Sequence, residues 1–316
     1  MNKQKLILVS VAFVFMAVSF YTGYRFGAWE ADVAFPQPME LWVKETGLRI
    51  DIGTSPDVIR FPDGTWRMYY TVEEGIVSAI STNSMDWTKE GGFRLTADPK
   101  SKDQARIGSP DVFQIGKDKF RMIFEGMDEK QKEHKLFSAV SSDGITWTRE
   151  SGVRLEDVSS AGHKLAAVPD VLTLPDGRLR MYYTDGYDIK TAVSKDQGYK
   201  WKKENMTGIK PPATDPSVMI LSDGVFKMYY TISDSAAKPK NMRIVSANSE
   251  DGIHWNMDSG IRMRADQKTV LVMDPNVVQI SLGKARMFYA QVESGSLTDP
   301  KDPPVVTIHS AGLELR

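Results

Sequence analysis

The sequence predicts an all-β fold, a five-bladed β-propeller, and three observations support this prediction. A strand start built around a proline recurs five times, a second apolar strand follows each start, and a turn and strand containing tryptophan recur after that. Such self-similarity at a fixed period is typical of propellers. One copy of the Trp strand is displaced to the N-terminal side of the repeats. The two ends of the chain are therefore predicted to share one blade and close the ring.

The strand starts align on the proline, and each is followed by an apolar residue. They are Ser55-Pro56-Asp57-Val58, Ser109-Pro110-Asp111-Val112, Val168-Pro169-Asp170-Val171, Asp215-Pro216-Ser217-Val218 and Asp274-Pro275-Asn276-Val277. The second strands that follow are residues 66–70, 120–124, 179–183, 226–230 and 285–289. Turn residues such as Pro62-Asp63-Gly64 separate the two strands, so each pair is predicted to form a hairpin.

A turn of the form Ser-x-Asp-Gly-x-x-Trp follows the third strand of a repeat. It occurs at 141–147 and 249–255, in a longer version at 194–201 and in a degenerate version at 81–87. Asp and Gly favour such a turn, which we interpret as structural. Each Trp is predicted to open a fourth strand, over 87–95, 147–155, 201–209 and 255–263, and to pack between blades. The displaced copy, 42–50, is predicted to complete the last blade, whose third strand spans about 305–316.

The first thirty residues differ from the rest of the chain. Lys3 and Lys5 precede an apolar run from Leu6 to about Tyr21, and Arg25 follows it. This pattern predicts one hydrophobic helix over 1–30 that acts as a signal-anchor or a signal peptide. A linker is predicted over 31–41, with the propeller over 42–316. Basic residues before the apolar run predict export, so we expect an extracytoplasmic protein, secreted or held in the membrane by this segment only.

Composition narrows the range of partners and chemistries. The formal net charge is -1, with 40 Lys and Arg against 41 Asp and Glu, which does not favour a nucleic-acid surface. We expect a monomer whose partner is neutral. The chain has no Cys, which excludes disulfides, thiolate metal sites and a cysteine nucleophile. Catalysis would have to use carboxylates, hydroxyls or the 4 histidines.

Every predicted first strand carries an acid beside its proline. These acids are Asp57, Asp111 and Asp170 after the proline and Asp215 and Asp274 before it. By strand alternation the two positions should point the same way, towards the axis of the ring. Crowded carboxylates raise one another's pKa values, which favours acid–base chemistry. Two alternatives remain open: the aspartates serve only as backbone hydrogen-bond acceptors, or they hold a structural calcium ion.

The end of the second strand carries a further candidate. Where other blades have Thr71, Thr184, Thr231 and Ala290, the second blade has Glu125. We interpret Glu125 as a general acid, because apolar neighbours would raise its pKa. Arg106 and His163 lie in the connections that enter blades two and three, and they are candidates for binding substrate oxygens together with Asp170, Asp215 and Asp274. No other cofactor is expected.

The Pro-Asp-Val and Asp-Pro-Ser-Val strand starts resemble those of five-bladed propellers in the arabinanase, xylosidase and invertase group, glycoside hydrolase families 43 and 32. The resemblance covers about residues 42–316. It implies that Asp57 is the base and that Asp111 tunes the pKa of the catalytic groups. Two functions follow from this sequence: a glycosidase that cleaves a neutral glycan through paired carboxylates, or a non-catalytic propeller that binds glycan or protein on its acidic face.

Overall fold

The computed structural model describes residues 40–315 except 99, 102–103, 129–132, 159–161, 163, 235–240, 267–270 and 295–303. The predicted hydrophobic helix and nearly all of the predicted linker therefore lie outside the described residues. Within the described ranges, no helix is long and apolar enough to cross a membrane.

The described residues form five antiparallel sheets, which we call blades 1 to 5. The chain enters through β1 (Glu40–Lys44). Blade 1 contains β2 (Thr54–Arg60), β3 (Trp66–Val72), β4 (Gly75–Ser81), β5 (Thr88–Lys89) and β6 (Leu95–Thr96). Blade 2 contains β7 (Arg106–Gly116), β8 (Lys119–Asp128), β9 (Glu133–Ser141) and β10 (Thr148–Arg149). Blade 3 contains β11 (Ala166–Thr173), β12 (Leu179–Asp185), β13 (Asp188–Ser194) and β14 (Lys202–Glu204). Blade 4 contains β15 (Ala213–Ile220), β16 (Phe226–Ile232), β17 (Arg243–Ser249), β18 (Asn256–Met257) and β19 (Met263–Arg264). Blade 5 contains β20 (Leu271–Ser281), β21 (Lys284–Ser294) and β22 (Val305–Leu315).

The outermost strand of blade 5 comes from the other end of the described chain. The sheet order is β20, β21, β22 and β1, and the pairing runs from Glu40 opposite Leu315 to Lys44 opposite Ala311. Arg286 on β21 donates from Nε to Glu45 Oε2 at 2.9 Å, just beyond β1. Arg67, Arg121 and Arg180 make the matching ion pairs with Glu90, Glu150 and Glu204 in blades 1 to 3.

The prediction of one long outer strand after each tryptophan is wrong, because these strands are only two or three residues long in blades 1 to 4. In blade 1 the region splits into β5 and β6, each two residues long and each paired with β4. Gly92 lies between them with a φ of 75°, and Gly260 lies between β18 and β19 with a φ of 81°. Backbone in this left-handed region leaves the strand conformation, so the outer edge of the blade is interrupted.

The tryptophans of the outer strands pack against the preceding blade, as predicted. Ring centroids lie 5.8 Å apart for Trp147 and Tyr69, with the rings edge to face. The same arrangement recurs for Trp255 on Tyr182, Trp87 on Phe288 and Trp42 on Tyr229. The Met-Tyr-Tyr strands are also core, because Met68, Tyr69 and Tyr70 are almost fully buried.

The Ser-x-Asp-Gly turns are structural, as the sequence predicts. Asp143 Oδ1 accepts hydrogen bonds from the backbone N–H groups of Ile145 and Thr146 at 2.8 and 2.7 Å. The carbonyl of Gly144 accepts the hydroxyl of Tyr69, from the preceding blade, at 2.8 Å. The turn of blade 4 repeats this contact between Gly252 and Tyr182 at 2.8 Å. Each such turn therefore fastens one blade to its neighbour.

Candidate functional site

The five first strands, β2, β7, β11, β15 and β20, begin around a central funnel with about 320 Å³ of open space. Its lining consists of the five prolines and, except for Ser217, the residues on either side of them. We call the residues before the prolines the pre-proline tier (Ser55, Ser109, Val168, Asp215, Asp274). We call the residues after them the post-proline tier (Asp57, Asp111, Asp170, Ser217, Asn276). All five predicted aspartates line the funnel.

The argument from strand alternation fails at these positions, although the acids do converge. All five pre-proline residues have a positive φ, from 44° at Val168 to 54° at Asp215. The ladder register shifts at the same place in every blade, as between Thr54 and Asp57 in blade 1. This bulge breaks the two-residue period of the strand, so the two tiers have different partners.

The post-proline tier joins each blade to the next. Asp57 Oδ2 accepts the backbone N–H of Val112 at 2.8 Å, and Asp170 Oδ2 accepts that of Val218 at 3.0 Å. Ser217 and Asn276 make the same bond, to Val277 and Val58, each at 3.0 Å. Asp111 faces the Val171 N–H in the same way. These side chains therefore serve as backbone hydrogen-bond acceptors, which is one of the two alternatives left open by the sequence.

The post-proline aspartates carry raised pKa values. Burial raises the pKa of Asp57 to about 7. Burial, with the nearby charge of Asp57, raises the pKa of Asp170 to about 8. Burial and then the charges of Asp57 and Asp170 raise the pKa of Asp111 well above its ordinary value. Three carboxyls thus share one poorly solvated space, which favours keeping protons on them near neutral pH.

The pre-proline tier is held by its own set of bonds between blades. The N–H of Ser109 donates to Thr71 Oγ1 at 2.8 Å, and the N–H of Asp215 donates to Thr184 Oγ1 at 3.0 Å. Between blades 2 and 3, Glu125 replaces the threonine, and its Oε2 accepts the Val168 N–H at 3.4 Å. Glu125 therefore occupies a recurrent structural position and bonds two residues that line the funnel, Ser109 and Val168.

Asp215 and Asp274 stand side by side in this tier and differ in their surroundings. Asp274 Oδ2 accepts three hydrogen bonds, from Thr54 Oγ1 at 2.5 Å, Ser55 N at 3.0 Å and Ser55 Oγ at 3.1 Å. Burial, and then the charge of Asp274, raise the pKa of Asp215 to about 8. Burial and the neighbouring carboxylate therefore favour a proton on Asp215 near neutral pH.

Glu125 has polar neighbours instead of the apolar surroundings that the sequence suggested. Oε2 also accepts the hydroxyl of Ser109, at 3.0 Å, and Oε1 is hydrogen-bonded to Nδ1 of His134. His134 lies on β9, opposite Met127 of β8. It was not among the predicted site residues, because only the register of this hairpin brings it to Glu125. A period-two reading of both strands could have found it, had the turn length been known.

Two predicted site residues remain, Arg106 and His163. Arg106 is the exposed first residue of β7, opposite Met127 in register. His163 lies outside the described residues. Across the part of the chain that the structure describes, no group of three or more His, Cys, Asp or Glu side chains is arranged to hold a metal ion.

Comparisons with known proteins find structural matches but no match in sequence. No sequence-family model matches this chain, and a search of curated protein sequences finds no match. Solved structures do match. A thermostable family-43 glycoside hydrolase has 18% identity and a TM-score of 0.65, with 85% of this chain and 91% of that chain covered. The native Bacillus subtilis arabinanase has 13% identity and a TM-score of 0.63, covering 84% and 95% of the two chains.

The fold is that of the five-bladed propellers of family 43. The resemblance predicted from the strand starts is confirmed at this level. A third match carries another chemistry: an N-acetylgalactosamine deacetylase from F. plautii, solved with blood group B trisaccharide, has 13% identity and a TM-score of 0.67 over 86% of this chain and 95% of that chain. Because one fold hosts several activities, function has to be argued from the funnel.

Proposed function

We propose that this protein is a glycoside hydrolase that cleaves a neutral glycan through paired carboxylates in its funnel. The observation that carries the proposal is Glu125, a carboxylate in a position where three other blades have threonine, bonded to two pre-proline residues of the funnel. Structural similarity to family-43 hydrolases over most of the chain supports the same function.

The chemistry needs one carboxyl to protonate the leaving oxygen and one to activate water or attack the sugar. We propose the catalytic groups among Glu125, Asp57 and Asp111, with Asp170, Asp215, Asp274, Arg106 and His163 binding substrate. The raised pKa values of the buried aspartates supply groups that still hold a proton near neutral pH. A funnel lined by several acids repels polyanions, which favours an uncharged substrate.

The test is hydrolysis of a panel of arabinan, xylan and galactan oligosaccharides and aryl glycosides by wild type and variants. Glu125→Gln, Asp57→Asn and Asp111→Asn should each lose activity by about 100-fold or more. Asn is tolerated at the post-proline position, since Asn276 already makes the bond between blades there. Asp118→Asn, in an exposed turn, serves as the control. Equal activity in all variants would refute the assignment of these three residues.

The second candidate is a propeller that binds glycan or protein on its acidic face without hydrolysing it. It is favoured by the structural use of Asp57 and Asp170, whose carboxylates hold neighbouring blades. Glycan binding by the wild type, with no hydrolysis of any panel member and no release of acetate from N-acetylated sugars, would favour this second function.

We further propose that residues 1–30 export the chain as a signal-anchor or signal peptide, that residues 31–41 act as a linker, and that the propeller is extracytoplasmic. The basic residues Lys3 and Lys5 before the apolar run support this orientation. Fractionation of cells and the mass of the mature chain would test it. A soluble cytosolic product that retains Met1 would contradict the proposal. We also propose that pairing of β1 with β22 keeps the ring closed in solution.

A further inference from the structure

Blade 3 carries an exposed tyrosine at the end where its first strand begins. Tyr187 lies in the short hairpin between β12 and β13, and the last residue of β12, Asp185, is opposite Ala166, the first of β11. Tyr187 is 45% exposed. The similarly exposed Tyr199 has a partner, because the guanidinium of Arg154 lies 4.0 Å from its ring. Among the described residues no ring or cation packs against Tyr187, so its ring presents an open apolar face.

Two hydrogen bonds hold this hairpin against the first strand of blade 4. The carbonyl of Tyr187 accepts the N–H of Ala213 at 2.9 Å, and Thr184 Oγ1 accepts the N–H of Asp215 at 3.0 Å. Asp215 lines the funnel. Ala213 and Asp215 are two residues apart, a distance that an extended chain spans in at most about 7 Å. The backbone of Tyr187 therefore lies within roughly 10 Å of Asp215, at the rim of the funnel.

The position of Tyr187 suits the binding of a ligand. Both hydrogen bonds run from blade 3 to blade 4, so the hairpin cannot move away from the rim without breaking them. A tyrosine side chain has only two rotatable bonds, so fixing it against a ligand costs little conformational entropy. A ligand held in the funnel can therefore extend onto a surface that is largely in place before binding.

A charged pair lies beside the tyrosine in the chain. Asp188 follows Tyr187 directly and pairs with Lys190, and the two side chains are 33% and 40% exposed. A carboxylate accepts hydrogen bonds and an ammonium group donates them, so this pair can bind hydroxyl groups. A sugar ring offers both an apolar C–H face for the tyrosine and hydroxyl groups for the pair. A hydrocarbon chain would cover the tyrosine but would also take the charges of the pair out of water.

We propose that Tyr187, Asp188 and Lys190 form a second sugar subsite at the rim, which binds the residue of a neutral glycan next to the one held in the funnel. This inference rests on the proposed function and deepens it, because the preferred substrate then has at least two sugar residues. Tyr187 stacks on the second sugar and takes no part in breaking the bond. Its loss should therefore weaken the ground state and the transition state alike, and raise KM more than it lowers kcat.

The first test compares a methyl glycoside, which has one sugar residue, with a trisaccharide of the same sugar. Tyr187→Ala should raise the KM of the trisaccharide relative to that of the methyl glycoside by about 3- to 10-fold, the range expected for one aromatic contact. Tyr187→Phe keeps the ring and should retain most of the wild-type preference. Phe93→Ala is the matched control, because Phe93 is also 45% exposed and lies between β5 and β6 on the outer edge of blade 1. An unchanged KM ratio in Tyr187→Ala would overturn the subsite.

The second test measures binding without turnover. Isothermal titration calorimetry with trisaccharides from arabinan, xylan and galactan is carried out on Asp57→Asn protein, with and without Tyr187→Ala, and on the wild type if it hydrolyses none of them. Tyr187→Ala should weaken binding of the preferred trisaccharide by about 3- to 10-fold, and Phe93→Ala should not. Equal affinities with and without Tyr187→Ala would overturn the subsite, and so would the absence of binding by every trisaccharide.

The two tests also separate this inference from the proposed function. Wild-type protein that hydrolyses nothing, but binds a trisaccharide more weakly once Tyr187 is replaced by alanine, would refute the hydrolase and retain the subsite. Hydrolysis by the wild type with the same KM ratio and the same affinity in Tyr187→Ala would retain the hydrolase and reject the subsite.

Discussion

The absence of a side chain at Gly144 allows the second blade to dock against the first. Its φ is 69°, and an added Cβ would lie 2.6 Å from Phe61 Cζ and 2.7 Å from the hydroxyl of Tyr69. Gly252 meets the same restriction between blades 3 and 4, where Arg180 and Tyr182 approach it. The glycine of this turn thus meets two demands, a left-handed backbone and room for the neighbouring blade.

We expect Gly144→Ala to destabilise the protein by about 1–3 kcal/mol more than Gly177→Ala, because the added methyl group overpacks the contact between blades. Gly177 is a matched control, since its φ is 83° and open space surrounds its Cβ position. Urea unfolding followed by tryptophan fluorescence measures the difference. Equal losses in the two variants would mean that backbone strain alone sets the cost.

Single residues were predictable from sequence where their partners are local. Asp143 bonds groups within three residues, so the turn was predictable. His134 was not predicted, because its contact with Glu125 depends on the register of two strands joined by a turn of unknown length.

At the scale of elements, β1 lies at one end of the described chain and forms the outer strand of blade 5, whose other strands come from the opposite end. It supplies Trp42 to the interface with Tyr229 of blade 4, where the ring centroids are 5.3 Å apart. Glu45, just after the strand, pairs with Arg286 of β21. The strand therefore brings both the aromatic contact and the ion pair that the other outer strands supply to their own blades.

We expect Trp42→Ala to lower the free energy of unfolding by about 3–5 kcal/mol, the usual cost of removing a large buried aromatic side chain. Val43→Ala in the same strand is the control, because Val43 is 40% exposed. Chemical denaturation of both variants gives the comparison. A loss for Trp42→Ala as small as that of the control would show that β1 does not hold the ring closed.

Strand identity was predictable from apolar patterning, whereas strand geometry was not. The first strands were expected to alternate through the proline, but a residue with positive φ stands before each proline. Ser55, Ser109 and Val168 give little local signal for that conformation, which is uncommon for β-branched residues such as valine. The contacts of the neighbouring blades impose it.

For the whole molecule, the post-proline tier couples stability to pH. The pKa values of Asp57 and Asp170 rise from 3.8 to about 7 and about 8 on folding. The native state therefore holds more protons than the unfolded state between these limits. Stability contributed by these groups is at its highest below about pH 4 and falls as the pH rises towards about 8.

We expect Asp170→Asn to make the fall in stability between about pH 5 and 8 shallower, because the variant has no proton to lose there. Asn can still accept the Val218 N–H, as Asn276 accepts that of Val58. Asp118→Asn, at an exposed turn, should keep the wild-type slope. Melting temperatures across this pH range provide the measurement, and an unchanged slope in Asp170→Asn would contradict the linkage.

The sequence by itself determined the number of blades, the hairpins and the turns that fasten them. These features follow from a pattern repeated at short range, which each copy reinforces. Only the tertiary structure decided how the funnel is built. It separated the aspartates into two tiers, gave one tier the bonds between blades and brought His134 to Glu125. Those outcomes depend on contacts between residues far apart in the chain, and on bulges that the two-residue period of a strand does not encode.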